Sequence, residues 1–293
     1  VRWTRAGSST ATPTASSTPS ATPTPGSSTT VIAAGDIADC SSSGDEATAN
    51  LVKGIGGTVL ALGDNVYESG AASEFRSCYD PSWGQFKSRT KPAVGNHEYL
   101  TSGASGYFDY FGAAAGPAGK GWYAYNQGSW RLYALNSNCS KIVGCGPGSP
   151  EYEWLKADLA ANPHSCVLAY WHHPLFTNGP HANNEGGGAG DLWSLLYQAN
   201  AEIVLNGHDH HYQRWAPQRP DGQVDGARGI REFVVGTGGA GLTSPNRTPA
   251  NLEVGRADTF GVLVLTLKSG GYTWKFTPVA GKTFTDSGSG NCH

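Results

Sequence analysis

Several short apolar runs in this chain, VIAA, VLAL and AEIVL among them, break off abruptly into clusters of potential metal donors. These clusters lie far apart and read GDIAD, GDNVY, GNHE, YWHHP, PHANN and NGHDHH. A short apolar run closed by Gly and polar residues reads as a buried strand entering a loop. In open α/β sheets, sites form beyond the carboxyl ends of the strands. The pattern therefore calls for a fold that gathers several strand ends at one edge. The donor-bearing residues are Asp36, Asp64 with Tyr67, Asn96 with His97, His172 with His173, His181, and His208 with His210. Carboxylate, imidazole, amide and phenol are hard or borderline ligands that suit zinc, iron or manganese. Taken singly, a Gly-Asp pair is as good a turn as a ligand, because turns favour both residues. The ordered recurrence separates the two readings, and most of the nine histidines fall in or beside these clusters.

In order and spacing, Gly35-Asp36, Gly63-Asp64-Asn65-Val66-Tyr67, Gly95-Asn96-His97-Glu98, His172-His173-Pro174 and Gly207-His208-Asp209-His210 resemble the motifs of the calcineurin-like metallophosphoesterases, and within them the purple acid phosphatases. The resemblance covers residues 31 to 268. It implies an α/β fold, a four-layer αββα sandwich of two mixed β-sheets flanked by helices, in the compact form without a large N-terminal β-domain. It also implies two metal ions. One would be held by Asp36, Asp64, Tyr67 and His210, the other by Asp64, Asn96, His172 and His208, with Asp64 bridging. The wider family carries a metal-binding histidine where this chain has Ala38, which cannot coordinate. Tyr67 stands where the purple group has its tyrosine, and a phenolate favours Fe(III), with Zn(II), Fe(II) or Mn(II) as the second ion. The other reading packs Tyr67 beneath its loop and puts Asp39 in the vacancy.

The implied activity is hydrolysis of a small phosphate ester by a metal-bound hydroxide, as a phosphomonoesterase. The alternatives are a phosphodiesterase acting on a glycerophosphodiester or phospholipid head group, or a non-catalytic binding module of the same fold. His97 and His181 are the candidate catalytic proton donors, and Asn96, His97, His181 and His173 the candidate substrate contacts. His173 and His211 read equally well as packing residues beside the ligands, and Glu98, Asp209 and Arg214 as groups that hold the ligands in place. The loops 99–128 and 176–190 would shape the alcohol side. Their Tyr99, Tyr107, Trp122, Tyr123 and Tyr125 would either enclose an alcohol or form a small core of their own.

A formal net charge of -3 with no basic run argues against a nucleic-acid surface. No apolar stretch approaches the roughly 20 residues of a membrane span. From Gly7 to Thr30 the chain is almost entirely Ser, Thr, Ala and Pro, too poor in large apolar groups to fold. Residues 1–30 therefore read as a disordered linker to a module or anchor and 31–293 as the catalytic domain. With no signal segment and no initiating Met, the chain reads as processed or trimmed. Six cysteines suggest disulfides and export to the extracellular space, with fifteen possible pairings. Expected adjacency favours Cys40–Cys78, Cys139–Cys145 and Cys166–Cys292.

Periodicity predicts strands near 31–34, 58–62, 91–94, 130–136, 166–171, 203–206, 231–236, 261–268 and 272–277, the last three as an antiparallel set. It predicts helices near 44–54, 71–78, 150–161 and 189–199.

Overall fold

The computed structural model describes Val1, residues 28–181 and residues 188–293. Most of the expected linker and the 182–187 part of the His181 loop lie outside the described residues. Thr29 and Thr30, read from sequence as linker, instead begin the first strand. In chain order the strands are β1 (Thr29–Ala34), β2 (Thr58–Leu62), β3 (Thr90–Ala93), β4 (Tyr123–Gln127), β5 (Trp130–Ala134), β6 (Cys166–Tyr170) and β7 (Ile203–Asn206). They continue as β8 (Tyr212–Trp215), β9 (Arg231–Val235), β10 (Leu252–Arg256), β11 (Gly261–Lys268), β12 (Gly271–Pro278) and β13 (Asp286–Asn291).

Two mixed sheets result, in the order β13-β12-β11-β1-β2-β3 and β10-β8-β9-β7-β6-β5-β4. β1, β2 and β3 run parallel, as do β5, β6, β7 and β9, so their carboxyl ends share an edge in each sheet. The apolar runs are continuous rather than alternating because these strands are covered on both faces. In β6, Leu168 and Tyr170 join the core between the sheets, while Val167 and Ala169 face a second core with Leu155, Leu192 and Trp193. The helices Pro150–Ala161 and Gly190–Gln198 supply that outer core. The first of them starts on Ser149, whose side chain accepts from Tyr152 N, with Pro150 in the first turn, and it ends at Asn162 before Pro163. Helix Gly44–Lys53 packs on the outside of the other sheet, giving helices outside two facing sheets.

Two expectations need correction. Arg231–Val235 does not join the last hairpin; it is β9, parallel to β7 and inside the second sheet. Residues 71–78 do not form one α-helix, since a single turn at Ala72–Glu74 passes into a π-turn at Phe75–Tyr79. The cysteines pair as adjacency suggested, Cys40–Cys78, Cys139–Cys145 and Cys166–Cys292. The last of these ties the start of β6 to the segment after β13, and so joins the two sheets.

Candidate metal centre

The carboxyl ends of β1, β2, β3, β6 and β7 converge where the two sheets meet. Backbone hydrogen bonds fix the junction: Gly35 N donates to Val235 O, Asp36 N to Gly63 O, and Gly207 N to His172 O. At three donor positions the chain turns through a left-handed conformation, with φ of 57° at Asp36, 45° at Asp64 and 72° at His208. Such conformations are uncommon outside glycine and persist only where the surroundings impose them. Gly95 is required by close approach, because a Cβ there would lie 2.1 Å from Asp64 Oδ1.

The side chains form two groups that share one atom. In the first, Tyr67 Oη lies 2.9 Å from Asp36 Oδ1, 3.2 Å from Asp64 Oδ2 and 3.1 Å from His210 Nε2. In the second, His172 Nε2 lies 3.0 Å from the same Asp64 Oδ2. Asp64, His172 and His208 each offer a ligand atom, and these atoms lie within 4.8 Å of one another. Asn96 Oδ1 and His208 Nε2 are buried without a hydrogen-bond partner among the described residues, and His172 Nε2 faces only the Asp64 carboxylate. Buried polar atoms are normally satisfied, so two orphans and a buried imidazole nitrogen converging on one carboxylate fit a cation. His172 Nδ1 donates to Leu62 O at 3.0 Å, which keeps the Nε2 lone pair facing the group.

Electrostatics points the same way. Burial alone would lower His172, but the charge and hydrogen bond of Asp64 carry it up to about 9. Burial likewise opposes His210, which Asp36 raises to about 9. Burial, then Asp36 and Asp64, pushes the Tyr67 phenol well above its ordinary value. Held by protein alone, His172, His210 and Tyr67 keep their protons beside the Asp36 and Asp64 carboxylates. Cations would invert that preference and displace the protons, as ligand binding requires. Asp39, the other candidate donor, turns away and accepts from Ser41 N and Oγ.

Around the cluster stand three further histidines. His97 N donates to Asp64 Oδ1, and its ring Nδ1 lies 2.6 Å from Glu68 O. The His181 Nδ1 lies 2.9 Å from Asp209 Oδ1, and its ring is 4.5 Å from that of His208. His173 packs 4.5 Å from the His208 ring, and burial holds its imidazole down at about 3. His211 faces elsewhere, with Nε2 2.8 Å from Asn178 Oδ1. Glu98 accepts from Asp64 N, Asn65 N and Gly95 N at 3.1, 2.6 and 2.6 Å, which clamps two of the loops. Arg214 does not hold the ligands; it pairs with Asp286 and Glu253 at the far side of its strand.

Tyr107 and Trp122 are core residues, Tyr123 and Tyr125 pack partly buried against the core, and Tyr99 accepts from Asn136 Nδ2. Sequence reasoning passed over Ser137, which is buried and contacts His173. The available signal was its place just past the end of β5, a parallel strand to which no motif was assigned.

A family model described as calcineurin-like phosphoesterase matches residues 29–212. Purple acid phosphatase 15 of Arabidopsis thaliana is 26% identical over 191 residues, covering 53% of this chain and 35% of that protein. An uncharacterized protein of Mycobacterium tuberculosis is 26% identical over 221 residues, covering 61% and 41% respectively. The chain thus spans under half the length of these curated relatives. Among solved structures, a purple acid phosphatase from yellow lupin seeds superposes with a TM-score of 0.69 at 20% identity, covering 92% of this chain and 55% of that one. GAP50, the anchor in the inner membrane complex of Plasmodium, reaches the same 0.69 at 13% identity, covering 91% and 89%. At these identities the likeness is one of fold, and fold alone does not assign activity.

Proposed function

Because the chain belongs to the calcineurin-like phosphoesterase family, we propose that it is a purple acid phosphatase-like phosphomonoesterase working at a pair of metal ions outside the cell. The observation that carries this reading is Asp64 Oδ2, shared between the Tyr67 group and the His172 group. One ion would be held by Asp36, Asp64, Tyr67 and His210, and the other by Asp64, Asn96, His172 and His208. The phenol among the first set favours Fe(III) there, beside Zn(II), Fe(II) or Mn(II). Bound together, the two ions neutralise phosphate charge and lower the pKa of a water, the usual role of paired metals in such displacements.

The chain's own residues do the rest. Asn96, His97, His173 and His181 line the open side of the cluster and orient the phosphoryl group, which must be placed in line with its attacking water. A leaving alkoxide needs a proton, and His97 and His181 are the groups positioned to give one. His97 keeps Nδ1 on Glu68 O, and His181 keeps Nδ1 on Asp209, so each presents Nε2 to the cleft. The three disulfides support an oxidising, extracellular setting.

Purified protein assayed on p-nitrophenyl phosphate and bis-p-nitrophenyl phosphate, with elemental analysis of the same sample, tests this. The reading expects two metal equivalents, including iron, and preference for the monoester. Activity with one equivalent or none would overturn the dinuclear site, and diester preference would move the assignment to a phosphodiesterase.

A further inference from the structure

We propose that Ser137 is a positioning residue that fixes the tautomer of His173, so that this ring offers Nε2–H to a phosphoryl oxygen. The proposal rests on the function given above. β5 runs parallel to β6, so the chain leaving β5 emerges at the edge that carries His172 and His173. Ser137 is fully buried there. Its Oγ accepts the His173 backbone N–H at 3.1 Å and lies 2.7 Å from His173 Nδ1. A buried hydroxyl also has a proton to place. Among the described residues its acceptor is His173 Nδ1, and the reverse assignment would leave the hydroxyl proton buried without a partner. This accounting puts the ring hydrogen on Nε2.

The other two histidines at the rim are held the opposite way. Glu68 O and the Asp209 carboxylate only accept, so they keep the hydrogen of His97 and His181 on Nδ1. His173 is then the histidine whose neutral ring presents a donor to the cleft, where its Nε2 has no protein partner among the described residues. Ser137 itself cannot drift. Asn136 N donates to Glu151 Oε1 at 2.7 Å, Asn138 Nδ2 to Val94 O at 3.3 Å, and the Cys139–Cys145 disulfide follows directly. A donor held by a locked support is what firm anchoring of phosphate oxygens needs.

Titrating inorganic phosphate calorimetrically into the 293-residue chain and its variants tests the proposal. Ser137→Ala should weaken phosphate about 10-fold, the cost of one hydrogen bond to a charged group at its lower end. KM for p-nitrophenyl phosphate should rise more than kcat falls. Ser137→Thr, which keeps the hydroxyl, should stay within about 3-fold of wild type, whereas Ser137→Val, of similar shape, should not. In a His173→Ala background, Ser137→Ala should cost nothing further, since residues acting through one another are not additive. Wild-type phosphate affinity in Ser137→Ala and Ser137→Val, or an undiminished loss in the His173→Ala background, would overturn it. Should Ser137→Ala fail to fold, the Thr and Val pair still decides. Phosphate binding is read apart from turnover, so an inactive wild type would sink the hydrolase reading and leave this one to its own result.

Discussion

The donor cluster at the strand ends and the three histidines around it share one cleft, yet they are specified differently. Asp36, Asp64 and His208 leave β1, β2 and β7 directly, in backbone conformations that leave little freedom, with the two carboxylates buried and His208 partly so. Their direction follows from the strands. His97 and His181 are more open, with 22% and 34% of their side-chain surface exposed, and their rings are set by Glu68 O and Asp209. The cluster is built by backbone, the rim by tertiary partners. Changes in the cluster should therefore remove the site, while changes at the rim should alter how an intact site handles different substrates.

The largest effect is expected where that contrast is most direct. His208→Ala removes a buried Nε2 that has no hydrogen-bond partner among the described residues. Removing supporting partners of a metal ligand typically costs about 10–100-fold, and removing a ligand should exceed that. Turnover on p-nitrophenyl phosphate and on an alkyl phosphate should fall together, with loss of metal by elemental analysis. A variant that keeps two equivalents would take His208 out of the cluster.

At the rim the expectation is selective. His97→Ala should keep its metals, and it should lose about 10²–10⁴-fold on an alkyl ester, whose leaving group needs a proton. On p-nitrophenyl phosphate, which departs as a stable anion, the loss should be much smaller. Equal losses on both esters would make His97 a phosphate anchor and pass the acid role to His181 with Asp209.

Tyr67→Phe tests the seam between the two regions, because its hydroxyl belongs to the cluster while its ring lies 4.5 Å from His97. If the phenolate binds ferric iron, the wild type should show a visible charge-transfer band and the variant should lose it. Absorbance spectra of both proteins decide the matter; a colourless wild type that contains ferric iron would exclude Tyr67 as a ligand.

What could be read from sequence follows the same division. Strands with apolar runs, such as β2, β7 and β11, match their expected bounds because burial on both faces demands those residues. β4, β10 and β13 carried no such run. They are edge strands, recruited by ladder hydrogen bonds more than by side chains. In β13, DSGSGN looks like a loop, yet Gly288 and Gly290 are needed because Trp274 and Tyr272 lie over its backbone, and a Cβ at Gly288 would meet Trp274 at 2.3 Å. Arg214, set beside the motif in sequence, points instead to Asp286, seventy-two residues away. The donor residues were legible because each motif is local. Ser137 was not, because its significance depends on a neighbour on another strand.

The smallest effect on the site, and the finest test of the contrast, concerns Glu151, which holds the Ser137 segment rather than the cluster. Burial pushes its carboxyl up to about 8, despite the hydrogen bond from Asn136 N that opposes the shift. The sign follows from proton counting. Below the ordinary value of 4.5, both folded and unfolded chains carry this proton. As pH rises, the unfolded chain loses it first, so folding stability falls steadily until the buried carboxyl ionises near 8. Glu202, raised by burial to about 7, adds in the same direction. The linked loss is on the order of a few kcal/mol for Glu151, or roughly 10 °C in Tm for a chain of this size. Glu151→Gln keeps an acceptor for Asn136 N but has no proton to lose. Between about pH 5 and about pH 8 its Tm should fall less than that of wild type, measured on metal-loaded samples. Parallel Tm curves would mean that Glu151 ionises freely, and that the Ser137 segment is supported by Val94, Tyr99 and the Cys139–Cys145 bridge without it.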